Sequence, residues 1–300
     1  MFRRNTLKRI TAINNILFGP IKSTSTRLMT TPRTQMANHQ TQATSCMPYD
    51  FNVLLSSPNL TPWKPAADQT LSSFYDDWAD NGYDQDVDDD GSLGMESNHT
   101  ATECAIRCII QQLYSKNKSS FSSVSTTMLD VGCGTGLVGE MINKRLDYMG
   151  FPRLDIRGFD LSSGMLKKAS DRYGVGSVTT HNAEVYPWRM GDGMGQSSLT
   201  GIDIPYGWAD ITLCNGVVVY LQDTNVLDEF VRVTKPGGHC IIMFRLDSEE
   251  KQPWAAKRNA IEASGQWKVV WDTPVRDNFP TYSQKGNPPS WYHVLVYQKV

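Results

Sequence analysis

The chain has 300 residues, 40% of them hydrophobic and 20% charged, with a net charge of −2. That length suits one large domain with appendages, or two small ones. No apolar run approaches the 18 residues of a membrane-spanning helix, and an acidic balance argues against a nucleic-acid partner, which needs clustered Lys and Arg.

The charge is unevenly placed. Residues 1–49 hold seven Arg or Lys and no Asp or Glu, which leaves −9 for the rest. Leu7, Ile10, Ile13, Ile16, Leu17 and Phe18 lie between those cations. An Arg-rich, acid-free, Ser- and Thr-rich start is the composition of a mitochondrial or plastid transit peptide, and the plainer alternative is a disordered basic tail. Met29 and Met36 offer internal starts, which would make the product cytoplasmic. Residues 50–104 form a second section: a Pro- and Ser-rich linker to residue 70, an aromatic and acidic stretch from Leu71 to Asp84, and a polar loop over 85–100. Asp86-Val87-Asp88-Asp89-Asp90-Gly91 imitates the opening of a calcium loop. Its twelfth position is Ser97 where a bidentate Glu is required, so an exposed acidic loop is expected and no metal site.

Residues 105–300 form the third section. Thr102–Tyr114 has helical periodicity, with Ala105, Cys108, Ile109 and Leu113 on one face. Strands are expected at Thr126–Val131, Leu154–Phe159, Ser177–Thr180, Ala209–Cys214, His239–Arg245, Trp267–Asp272 and Tyr292–Gln298. Helices are expected at Leu137–Arg145, Ser162–Tyr173, Asn225–Thr234 and Trp254–Ser264, and a turn at Lys235-Pro236-Gly237-Gly238. Strands separated by helices imply a doubly wound α/β fold with a mainly parallel, seven-stranded sheet. The last two strands have no long helix between them, so they should close the sheet as an antiparallel hairpin.

Six cysteines (46, 104, 108, 133, 214, 240) show no zinc spacing. Cys104 and Cys108 read as small core residues, and Cys214 as a buried strand residue, not a nucleophile. Asn59-Leu60-Thr61, Asn98-His99-Thr100 and Asn117-Lys118-Ser119 match the glycosylation sequon, but nothing else in the chain argues for secretion.

The chemistry concentrates at the ends of the strands. Residues 128–136 read Met-Leu-Asp-Val-Gly-Cys-Gly-Thr-Gly. An apolar strand reaches Asp130, and Gly132, Gly134 and Gly136 follow, with Cys133 between the first two. A strand turning this sharply into a helix exposes backbone N–H groups to a bulky ligand. The dinucleotide fingerprint requires a third glycine where this chain has Leu137. The G-x-G-x-G spacing after an acid instead resembles the S-adenosylmethionine (SAM) site of doubly wound methyltransferases, in which Asp130 would suit the ammonium group. Asp160, after strand two, is placed to take both ribose hydroxyls, with Leu161 beside it. Asn182 and Ala183, after strand three, would face the adenine, with an amide oxygen able to accept from its amino group. Asn215, after strand four, would face both the methionine part and the methyl acceptor.

Together with Thr234-Lys235-Pro236-Gly237-Gly238, these segments resemble class I SAM-dependent methyltransferases across 105–300. Tyr75-Asp76-Asp77-Trp78-Ala79 and Tyr83-Asp84-Gln85-Asp86-Val87 narrow the resemblance to the methyltransferase-like proteins named after the Williams–Beuren chromosomal region. The resemblance implies SAM as cofactor and methyl transfer to an acceptor it does not identify. A small molecule is expected, because no protein- or RNA-binding module is evident in residues 50–104 or 185–208. Tyr75 and Tyr83 are expected on a lid whose aromatic faces attract a sulfonium; the alternative is an amphipathic helix packed into the core. The sequence identifies no catalytic base: His181 and His239 lie near strand ends as candidates, and a structural role is the plainer reading of each. A SAM-binding protein without catalysis and an NAD-dependent oxidoreductase stay open at this level, as does the oligomeric state.

Overall fold

A computed structural model describes residues 70–87, 96–115, 126–185, 188, 204–245, 253–277 and 290–300. The basic start, Cys46, most of the acidic loop and most of the 185–208 segment lie outside the described residues.

Among the described residues the chain runs through α1 (Leu71–Asp80), α2 (Tyr83–Val87), α3 (Glu96–Ser115), β1 (Thr127–Val131), α4 (Leu137–Met149), β2 (Asp155–Asp160), α5 (Ser163–Tyr173) and β3 (Val178–Thr180). It continues through β4 (Ala209–Cys214), α6 (Val226–Val233), β5 (Thr234–Arg245), α7 (Trp254–Ala263), β6 (Trp267–Asp277) and β7 (Ser290–Lys299). The seven strands lie in the order β3-β2-β1-β4-β5-β7-β6. Strands β3 to β5 pair in parallel. Strand β7 slides antiparallel between β5 and β6, with Ile242 opposite Leu295 and Trp271 opposite Val296. The sheet is the expected mainly parallel one, closed by an antiparallel hairpin.

Alternation along the strands supplies both faces. Met128, Ile156, Ile211, Leu213, Ile241, Val294 and Val296 face one way, into a core with Ile106, Ile109 and Ile110 of α3 and Ile142 and Leu146 of α4. Leu129, Val131, Phe159, Cys214, Ile242, Phe244, Leu295 and Tyr297 face the other, against Leu227 and Phe230 of α6 and Trp254 and Ile261 of α7. A layer covered on both sides needs such dual-faced strands, and β4 is buried at all six positions.

Three elements differ from the sequence reading. Helix α3 starts at Glu96, not Thr102, so residues 96–100 are no loop, and the helix crosses the boundary placed at 104/105. Its first turn is polar yet Asn98 and Thr100 are buried, which hides the apolar period there. Burial of Asn98 also removes that sequon from the surface. Helix α4 runs on to Met149, where Gly150 ends it in the left-handed conformation (φ +71°). The Lys235–Gly238 run is a bulge within β5 and not a separate turn. Ala209 pairs with Thr234 and Ile211 with His239, so the intervening residues leave the ladder. Lys235 is held there by Asp210, at 2.7 Å.

Candidate active site

A cavity of about 550 Å³ opens over the carboxyl ends of the parallel strands, where doubly wound sheets bind ligands. Gly132, Gly134, Asp160, Leu161, Asn182, Ala183 and Asn215 line it, and Tyr75 and Tyr83 close over it from α1 and α2. Asp130, Cys133 and Gly136 of the same motif do not line it.

The floor is the loop from β1 to α4. Gly132, Gly134 and Gly136 all have positive φ (+66°, +53° and +81°). At Gly132 the constraint is double, since an added Cβ would lie 2.2 Å from Val217 Cγ2. Gly132→Ala is therefore expected to cost about 2–4 kcal/mol, combining left-handed strain with overpacking, and to lower the melting temperature by roughly 4–8 °C or more. A melting temperature within 1 °C of the parent would contradict this.

Asp160 joins the floor to the wall. Its Oδ2 accepts from the backbone N–H of Gly134 and its Oδ1 from that of Ser162, both at 2.9 Å. Burial raises its carboxyl above the usual carboxylate range, against the pull of these two bonds. On the far side, Asn182 Oδ1 accepts from Glu184 N at 3.0 Å, which sets the turn after β3. Ala183 is buried, and its carbonyl accepts from Trp188 Nε1. Glu184, next to Ala183 and given no role from the sequence, reaches across to accept from the backbone N–H groups of Gln222 and Asp223. It ties the turn after β3 to the loop after β4.

Asp130 departs from expectation. It lies behind the glycine loop, 3% exposed, and accepts from the Tyr173 hydroxyl at 2.6 Å. Burial pushes its carboxyl up to about 7, the Tyr173 bond opposing and Asp160 reinforcing the shift. It shapes the loop from behind instead of facing the cavity. Cys133 is buried beneath the loop with Leu166 and Ala169, and burial raises its thiol well above the usual range. Gly136 is the N-cap of α4 and lies against Tyr173.

Neither histidine is presented as a free base at the cavity. The Nε2 of His181 lies 2.8 Å from the Val185 carbonyl and must donate to it. His239 is away from the cavity, with Nδ1 3.1 Å from Gln112 Nε2, and burial lowers its pKa to about 4. Cys104, Cys108, Cys214 and Cys240 are buried and free, and burial pushes the Cys104 and Cys240 thiols up to about 12.

The cover is a cluster of rings. Trp78 meets Tyr83 edge-on at 4.8 Å, and Phe74 meets Tyr75 at 5.2 Å. The Tyr75 hydroxyl donates to that of Tyr220 at 2.9 Å. Two carboxylates dock this cover on the sheet domain. Asp76 accepts from Ser162 Oγ at 2.6 Å and from Gly164 N at 2.7 Å, at the N-terminus of α5. Asp84 accepts from Thr135 Oγ1 at 2.6 Å and pairs with Arg172 at 2.8 Å. Arg172 also binds Glu140. Only Ala79 of α1 is fully buried, so the helix covers the cavity without contributing much to the core. Tyr83→Ala is accordingly expected to weaken binding of SAM, the sulfonium precursor of S-adenosylhomocysteine (SAH), by about tenfold while shifting the ligand-free melting temperature by only a few degrees. Equal losses in both would mean that the ring is core and not cover.

The groups present suit SAM. The cavity has the volume of a small-molecule site, the Asp160 carboxylate lines it, and aromatic faces overhang a loop whose three glycines all have positive φ. A sheet with β7 inserted antiparallel beside β5, carrying this glycine loop at the end of β1, defines a class I methyltransferase with SAM as methyl donor. Residues 129–240 match the methyltransferase domain family. Methyltransferase-like protein 27 of Homo sapiens is 32% identical over 224 residues, covering 73% of this chain and 76% of the human protein. The chain belongs to the methyltransferase-like protein 27 family. The biotin biosynthesis bifunctional protein BioHC of Teredinibacter turnerae is 28% identical over 131 residues, 43% of this chain and 21% of that protein. Among solved structures, SAH-bound magnesium protoporphyrin IX methyltransferase from Synechocystis aligns with a TM-score of 0.45. The identity is 12%, over 76% of this chain and 99% of that one. The family assignment rests on the sequence relatives.

Proposed function

We propose that this chain methylates a small molecule in the cavity described above. Bound SAM supplies an electrophilic methyl group on a sulfonium, whose departure needs no acid. The work left to the protein is binding, alignment and exclusion of water. Asp160 would take the ribose hydroxyls, Asn182 and Ala183 the adenine side, and the Gly132–Gly134 turn the methionine part. Tyr75, Tyr83 and Tyr220 would shield the methyl group from water. The observation that carries the reading is Asp160: its carboxylate is fixed on the glycine-loop backbone and still faces the cavity. A small acceptor fits a cavity of this volume whose cover is two short helices. No described helix is long and apolar enough to cross a membrane.

The decisive experiment is a tritiated-methyl transfer assay over fractions of small molecules, protein and RNA from cell extract. Label entering the small-molecule fraction supports the reading, and label confined to macromolecules overturns it. SAH binding by calorimetry with no transfer to any fraction would mark a SAM-binding protein without turnover. We also propose that residues 1–49 direct the chain to mitochondria or plastids. A fluorescent reporter carrying them should co-localise with the organelle, and a diffuse cytosolic signal would refute targeting.

A further inference from the structure

Two carboxamides line the cavity away from Asp160. Neighbouring strands are about 4.8 Å apart. From β1, the β2 and β3 ends therefore lie to one side, and the β4, β5 and β7 ends reach about 14 Å to the other. Asp160, Asn182 and Ala183, proposed for the ribose and adenine, line the first side. The second is walled by Val219, Met243 and Tyr292, with two carboxamides among them: Asn215 after β4 and Asn98 from the first turn of α3. Asn215 Nδ2 donates to Asn98 Oδ1 at 2.6 Å. This bond fixes both amides, so their remaining functions are defined. Asn215 Oδ1 is out of contact with water and has no partner, an orphaned acceptor that a ligand donor would satisfy. Asn98 is 6% exposed, and among the described residues nothing accepts from its Nδ2. One donor and one acceptor, held side by side against an apolar wall, match a single chemical group that both accepts and donates.

We propose that Asn98 and Asn215 form the acceptor-recognition pair and select a hydroxyl group on an apolar body. The hydroxyl oxygen would accept from Asn98 Nδ2, and its hydrogen would go to Asn215 Oδ1. The body would lie against Met243 and Tyr292. This rests on the reading that the cofactor occupies the Asp160 side.

The test is calorimetry on the full chain saturated with SAH, with three probes of one shape: 2-naphthol, 2-methoxynaphthalene and 2-naphthoate. The naphthol should bind about tenfold more tightly than the methoxy compound, the equivalent of one hydrogen bond, and more tightly than the carboxylate. Asn215→Leu and Asn98→Leu should reduce that preference to about twofold or less while leaving SAH affinity within about threefold of the parent. Equal binding of the three probes by the parent, or no binding of any, overturns the inference without recourse to a variant. A tenfold loss of SAH affinity in the Leu variants also overturns it, by assigning the pair to the methionine part of the cofactor. Failure of the parent to bind SAH would instead sink the proposed function.

Discussion

Replacing Asp160 with alanine is expected to weaken SAH binding by about 30- to 150-fold, or roughly 2–3 kcal/mol. The carboxylate lies within the cavity wall, and its two oxygens are already oriented by the N–H groups of Gly134 and Ser162. A ligand diol that meets it makes charge-assisted hydrogen bonds without reorganising the site. The ligand-free protein should change little. Burial disfavours this carboxylate, so its removal relieves a desolvation cost that offsets the two lost backbone bonds. The expected pattern is a large fall in affinity by calorimetry beside a melting temperature within about 3 °C of the parent. An affinity within threefold of the parent would place the ribose elsewhere.

Arg172→Ala is expected to release the cover. Arg172 bridges Asp84 on α2 and Glu140 on α4, and donates to the Thr135 carbonyl in the glycine loop. Its removal leaves two half-buried carboxylates without their shared cation. Discounting for their partial exposure to solvent, the local cost is about 1–2 kcal/mol. Hydrogen exchange over residues 71–87 should accelerate by about 5- to 30-fold, and exchange in β4 should hold. Acid should do the same to the parent protein. Burial pushes Asp84 up, but the bonds from Arg172 and Thr135 outweigh it and hold the carboxyl below the usual range. Asp76 is lowered chiefly by the Ser162 hydroxyl. A carboxylate lowered by folding stabilises fully above its ordinary value of about 3.9, and the gain is lost as pH falls through the lowered folded value. Protection of 71–87 should thus be flat from pH 7 to about 4 and decline below it. Asp130 acts in the opposite sense. Its raised carboxyl favours the fold at low pH and loses that contribution as pH rises through about 7. Loss of lid protection already at pH 6 would point away from Asp76 and Asp84 as its fastenings.

What the sequence disclosed was local or periodic. The doubled alternation of β1, with Met128 and Leu129 facing opposite cores, and the G-x-G-x-G spacing with Asp160 after the next strand are readable within thirty-odd residues. What it concealed depends on contacts between distant segments. Asp130 has the position of a ligand residue, but Tyr173, 43 positions on, takes its oxygen. The first turn of α3 is polar although Asn98 and Thr100 within it are buried, so its apolar period vanishes there. Asp76 and Asp84 look like ordinary surface acids, and no spacing shows that their partners are Ser162 and Arg172. The insertion of β7 between β5 and β6 sets a pairing order that strand patterns do not encode.

The ring of Tyr173 is seated where side chains are missing. An added Cβ at Gly139 would fall 2.3 Å from its hydroxyl, one at Gly136 3.1 Å from its ring, and one at Gly158 3.3 Å from the opposite edge. Positions 136, 139, 158 and 173 thus meet in one packed cluster, and only the first sits in a recognisable motif; Gly158 is confined first by Cys133, whose Sγ an added Cβ would approach to 2.9 Å. A side chain at position 139 can be accommodated only if position 173 shrinks with it. Paired change at 139 and 173 is the trace that divergence there would leave.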